Sequence, residues 1–134
     1  MDWSKRIVHV PDLYDAHDRG AYEQCVVAGP LVFVAGQGGL DENRNLVSLE
    51  FEPQVRQAFE NVRRALRAAQ ADLRDLVAMT VFLTDARYGP EFVRLRREIL
   101  GGDYATSALI TVDHLYDPQL LVEIQAIAVR PTVT

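Results

Sequence analysis

The stretch DLVAMTVFLTD, residues 75–85, is apolar at both its odd and its even positions. A β-strand sends alternate side chains to opposite faces, so a run of this kind needs apolar cover on both sides of a sheet. One side can be covered by helices of the same chain, and the sequence offers two. From Pro53 onward, Val55, Ala58, Phe59, Val62, Ala65, Leu66 and Ala69 recur at offsets of three and four, which makes a single apolar helical stripe. Pro53 suits the first turn of that helix. A second helix begins at Pro90, carries Phe92, Leu95, Ile99 and Leu100, and stops at Gly101-Gly102.

The other apolar runs read as strands. KRIVHV is a short first one, and EQCVVAGPLVFVAG is two runs separated by Gly29-Pro30, a hairpin whose turn is not one of the favoured primed pairs. QGGLDENRNLVSLE is a turn-rich loop, and TSALITV and LLVEIQAIAV supply two final strands. The order strand, hairpin, helix, strand, helix, strand, strand predicts an α+β fold, one sheet of about six strands with two helices packed on one face. With 134 residues, 49% of them hydrophobic, the chain fits a single domain spanning 1–134.

What covers the second face is then the informative question. In the last strand Val122, Ile124, Ala126 and Ala128 point one way, and Glu123, Gln125, Ile127 and Val129 point the other. A lone sheet would leave more aliphatic surface in water than monomers usually expose, so a partner subunit is the simplest cover. Glu123 then sits on an intersubunit face, where a carboxylate needs a partner or water.

Several function classes lose ground on composition. Cys25 is the only cysteine, which excludes an intramolecular disulfide and a multi-cysteine zinc site and suits a reducing, cytoplasmic address. No segment reaches the ~20 apolar residues of a membrane span, and the first twenty residues hold no signal-like apolar core. A formal charge of −5 disfavours nucleic acid. The one basic run, Arg63, Arg64, Arg67 and Arg74, follows Glu60 at the spacing of a salt-bridged helix face.

Chemistry-bearing candidates gather around GGDYATSALITV, where Thr106 and Ser107 stand at the mouth of a strand. The pair reads as a hydroxyl nucleophile, an anion site, or ordinary edge residues. A nucleophile needs a base, which His9, His17 or His114 could supply only through tertiary contact, so acyl-type hydrolysis is a minor reading. His114 reads first as a surface turn residue, and Cys25 as a small buried side chain.

The chain as a whole resembles the Rid proteins, the YjgF/YER057c/UK114 family, over roughly residues 20–130. The resemblance lies in AYEQCVVAGPLVFVAGQGG, QVRQAFENVRRAL, TVFLTD and LVEIQAIAV, taken in that order. It implies a homotrimer with a fold like bacillary chorismate mutase and a ligand cleft between subunits. It also implies cofactor-independent hydrolysis of a reactive imine or enamine to a carbonyl compound and ammonia. By the same resemblance Glu123 corresponds to the carboxylate that positions water, Tyr22 to a tyrosine lining the cleft, and Gly36 and Gln37 to the segment whose backbone approaches the ligand. Where archetypal members carry PARS, this chain has YATS, so Thr106 stands in place of an arginine that grips the substrate carboxylate. One hydroxyl does not replace a bidentate guanidinium. The loop before Thr106 is shorter than in the family, and VDHLYDPQLL, with His114 and Tyr116, is longer. Two readings follow: a hydrolase with an altered substrate range, or a non-catalytic trimer that binds a small metabolite or partner.

Overall fold

A computed structural model describes residues 3–131. Its six strands are β1 (Lys5–Ile7), β2 (Cys25–Ala28), β3 (Leu31–Gln37), β4 (Leu76–Leu83), β5 (Thr106–Thr111) and β6 (Val122–Val129). The helices are α1 (Ala16–Gly20), α2 (Phe51–Ala68) and α3 (Gly89–Leu100). The strands form one sheet in the order β1-β2-β3-β6-β4-β5, antiparallel throughout except for the parallel pair β4 and β5. The α3 crossover between β4 and β5 accounts for that exception, because parallel neighbours need a long connection.

Both long helices pack on one face, as the sequence predicts. The α2 stripe is fully buried at Val55, Ala58, Phe59, Val62, Ala65 and Leu66, against Val32, Val34, Ile124, Ala126 and Ala128 of the sheet. Phe92 and Leu95 of α3 join the same core. α2 starts at Phe51, two residues ahead of Pro53, and α3 ends where Gly101 turns left-handed at φ 65°. At that φ a glycine carries no Cβ penalty, which is why the helix stops there. Gly29 does the same for the β2–β3 turn at φ 57°.

The sequence reading of two helices needs a correction: α1 is a third. It is five residues long, too short for an apolar stripe, and is held by Asp15, whose side chain accepts from the Asp18 N–H at 3.2 Å.

β4 is fully covered on one side only, with Phe82 on the other packing partly against Leu40, Leu115 and Leu120. Leu76, Met79, Val81 and Leu83 are buried against the helices, whereas Ala78, Thr80 and Phe82 lie on the opposite face and stay partly exposed. That face continues through Ile7, 51% exposed, Phe33, 39% exposed, Ile127 and Ile110.

Among the described residues four polar side chains are buried, and each is hydrogen-bonded. Gln54 ties three points of the fold together. Its amide N–H group donates to Ser48 O (2.9 Å) and Gln119 O (3.0 Å), and its oxygen accepts from Leu121 N (2.8 Å). Asn61 donates to Gly38 O (3.2 Å) and Leu40 O (2.8 Å). These two residues pin the end of β3 and the approach to β6 against α2, and so fix the walls of the site.

Candidate functional site

β6 is the last strand in sequence but lies between β3 and β4, which puts Glu123 mid-sheet, opposite Phe82. There it borders a cavity of about 750 Å³ lined by Tyr14, Tyr22, Gly36, Gln37, Arg44, Tyr116 and Glu123, among others. The volume is that of an ordinary small-molecule site.

Glu123 is half-buried, and its carboxylate has no hydrogen bond or ion pair with any described residue. Burial without a counter-charge pushes its pKa above the usual carboxylate value. The carboxylate lies flat against β3 because residue 36 is glycine: a Cβ there would come within 2.5 Å of Glu123 Oε2. Gly20 does the same for the tyrosine, since a Cβ at 20 would come within 2.6 Å of the Tyr22 ring.

Tyr22 shares a short hydrogen bond of 2.5 Å with Tyr14, hydroxyl to hydroxyl. Two hydroxyls joined by one bond retain one O–H proton for a ligand. Burial first, then the Tyr14 hydroxyl, push the Tyr22 pKa well above that of a free phenol, with the Glu123 charge adding and Arg44 opposing. Tyr22 is therefore a neutral phenol rather than a phenolate that attacks.

Gln37 borders the cavity, but its amide is engaged elsewhere, donating to Gln24 Oε1 (2.7 Å) and Ala35 O (3.1 Å). Gln24 in turn donates to Tyr14 O (3.1 Å), so Gln37 acts by bracing the Tyr14 segment.

Thr106, Ser107 and His114 do not line this cavity within one chain. Thr106 opens β5 opposite Ala78, and its Oγ1 donates to Val77 O (2.9 Å). Ser107 pairs with Met79 and faces the helix side, where its Oγ accepts from Arg96 Nη1 (2.7 Å). Neighbouring strand residues point to opposite faces, so the two hydroxyls cannot serve one site together. Neither has an imidazole partner, which removes the support for a hydroxyl nucleophile in the single chain. His114 is exposed, with Nδ1 beside Leu115 O at 3.1 Å. Tyr116, two residues on in the same lengthened loop, does reach the cavity mouth and is 89% exposed.

The sequence reading missed Tyr14, Gly20, Asn61 and Arg44. Tyr14 and Tyr22 come together because α1 folds the chain between them, and DAHDRG carries the cap signal for that helix. The basic run on α2 is neutralised as its spacing suggests. Arg63 pairs with Glu60, Arg64 lies near Glu60 and Glu42, and Arg67 pairs with Asp72. Among the described residues no three His, Cys, Asp or Glu side chains cluster as metal ligands do, and no helix is long and apolar enough to cross a membrane.

Residues 15–130 match the family described as endoribonuclease L-PSP. A RutC family protein of Pyrococcus horikoshii is 31% identical over 112 residues, 83% of this chain and 88% of that protein. A 2-iminobutanoate/2-iminopropanoate deaminase of Dermatophagoides farinae is 26% identical over 93% of this chain and 96% of its own length. The crystal structure of a YjgF/YER057c/UK114 family member from Mycobacterium tuberculosis superposes with a TM-score of 0.81 at 28% identity, covering 94% of this chain and 99% of that one. A family match over most of the chain, a relative above 30% identity along most of its length, and a shared fold all agree, and the chain belongs to the endoribonuclease L-PSP family, the YjgF/RutC/Rid proteins.

Proposed function

We propose that this protein hydrolyses a reactive imine or enamine to a carbonyl compound and ammonia, in a cleft that a neighbouring subunit completes. The unpaired, half-buried carboxylate of Glu123 facing the cavity is the observation that carries the reading. An isolated carboxylate of this kind is costly to bury and is suited to holding a water molecule and taking its proton. The reacting form is the N-protonated imine, which an enamine reaches by taking a proton on carbon. Water adds to its C=N carbon while Glu123 takes a proton from that water, and the nitrogen becomes a neutral amine. Glu123 then returns the proton to that nitrogen, the C–N bond breaks, and ammonia leaves as the C=O bond forms, the hydroxyl proton passing to Glu123 and from it to the released ammonia. Tyr22, kept neutral, donates a hydrogen bond to the reacting group. The deaminase name of the Dermatophagoides farinae relative supports the same chemistry.

The open sheet face supports a homotrimer of the bacillary chorismate mutase type, with copies of this chain covering Phe33, Ile110 and Ile127. Light scattering at micromolar concentration should give three times the 15.1 kDa chain mass. A monomer mass would remove the intersubunit cleft.

Thr106 sets the substrate range in this reading. Its hydroxyl is bonded to a backbone carbonyl and carries no charge, so 2-aminoacrylate-type substrates with a carboxylate on the reacting carbon lose their anchor. Ammonia release from such a substrate should run one to two decades below that of a member with arginine at this position, the loss expected for about 1.5–3 kcal/mol of charge-assisted pairing. Thr106→Arg should recover part of it. Equal rates in wild type and an arginine-bearing relative would count against this role for Thr106. Failure to consume any imine while a ligand still protects against heat would favour the non-catalytic binding protein.

A further inference from the structure

Arg44 sits in the loop between β3 and α2, on a turn closed by the Leu40–Leu46 bridge. The Asp41 carboxylate accepts from Asn43 N and Asn45 N at 2.9 Å each, Asp41 N donates to Asn45 O (2.9 Å), and Arg44 N donates to Asp41 O (3.0 Å). This turn holds Arg44 left-handed at φ 65°, a conformation that favours glycine and that other residues adopt at a cost. Strain of this sort persists where a side chain is needed in place.

The side chain reaches the cavity wall, with its guanidinium carbon 5.6 Å from the Tyr14 ring centroid, within cation–π range. Tyr14 is in turn hydrogen-bonded to Tyr22. Arg56, Arg63, Arg64, Arg67, Arg87 and Arg94 each have a carboxylate within ion-pair distance, whereas among the described residues Arg44 has none, nor has Arg19, the other arginine on this wall. The cavity wall carries two arginines, Arg19 and Arg44, beside the carboxylates of Glu23, Asp117 and Glu123, and of the two arginines Arg44 is the one stacked on Tyr14. Arg44 is exposed on this wall, and Glu123 is half-buried beside Gly36.

We infer that Arg44 is the anion anchor of this cavity, and that the substrate carries its negative charge several bonds away from the imine carbon. The inference rests on the imine chemistry proposed above. With the reacting carbon next to Glu123, a carboxylate on that same carbon would crowd a like charge, and Thr106 has none to offset it. A carboxylate at the far end of the substrate meets Arg44 instead. A volume of about 750 Å³ accommodates the longer ligand.

Three unreactive five-carbon ketones test this by titration calorimetry: 4-oxopentanoate, with distal charge; 2-oxopentanoate, with adjacent charge; and neutral 2-pentanone. Wild type should bind 4-oxopentanoate most tightly. Arg44→Gln should weaken that binding about ten- to a hundredfold and leave 2-pentanone unchanged, while Arg63→Gln, outside the cavity, changes neither. Arg44→Gly should lose the same affinity with a melting temperature equal to or above that of wild type, because glycine relieves the turn. The assignment is overturned if Arg44→Gln binds 4-oxopentanoate as wild type does, or if wild type binds 2-pentanone or 2-oxopentanoate as tightly. A melting temperature lowered in Arg44→Gly would make the residue a structural one and overturn it as well. None of these arms uses turnover, so a failure of the hydrolase reading shows separately, as Glu123→Gln retaining ammonia release.

Discussion

Glu123→Gln is expected to lose about two decades or more of turnover while keeping its assembly and its fold. Glutamine matches the size and part of the hydrogen bonding of glutamate but cannot accept the water proton. The readout is ammonia release from an imine or enamine found by screening compounds with and without a carboxylate. Turnover that survives the substitution would end the catalytic role of this residue. The wild-type pH profile provides an independent check, because burial raises the Glu123 pKa. Activity requires the ionised form, so kcat/KM should rise with pH through a midpoint above the ordinary carboxylate range, and that limb should vanish in Glu123→Gln. For stability the sign is opposite. A raised folded-state pKa means that the folded chain favours the protonated acid, a contribution present below the unfolded pKa and lost as pH rises through the folded one. Above its folded-state pKa the ionised carboxylate weighs against folding, so in that range Glu123→Gln should melt no earlier than wild type.

Gly36→Ala should reduce kcat/KM by about a hundredfold without touching the carboxylate itself. The added methyl would lie 2.5 Å from Glu123 Oε2 and 2.8 Å from its carboxyl carbon, closer than nonbonded atoms allow. Those atoms are the free end of a side chain, so the carboxylate swings aside and the strand stays where it is. Displacing a reacting group by about 1 Å can cost roughly two decades in rate. The loss should fall mainly on kcat, with melting temperature and mass near those of wild type. Normal activity in Gly36→Ala would show that the position of the carboxylate against β3 is not the one used in catalysis.

The sheet was readable from the sequence because its signals are periodic and local. Val122, Ile124, Ala126 and Ala128 alternate with Glu123 and Gln125, and the burial of β6 follows that alternation residue by residue. The helix stripe on α2 and the Gly101 stop are of the same kind. The site was readable only where one residue carries it: Glu123, Tyr22 and Gly36 all border the cavity. Tyr14 and Arg44 arrive through two turns, α1 and the Asp41–Asn45 loop, whose geometry depends on local capping hydrogen bonds rather than on any repeat. Thr106 and Ser107 look like one motif in a sequence, but strand alternation sends them to opposite faces, and Arg96 occupies the serine. Gln54 and Asn61 look like breaks in an apolar helix, and only the carbonyls they bind explain their burial.

The place of β6 between β3 and β4 also bears on how the protein is made. A chain emerging from the ribosome can form the β2–β3 hairpin and, later, the β4-α3-β5 unit, but the two parts have no shared edge until residues 122–129 are released. The missing strand has to close contacts with β3, about ninety residues earlier in the chain, and with β4, about forty to fifty earlier, and pairing across such separations is slow. Until then both flanking edges are bare and open to the wrong partner. The strand that seals them is the one that carries Glu123, so during synthesis a nascent protein acquires this carboxylate in the same step that closes the gap in its sheet.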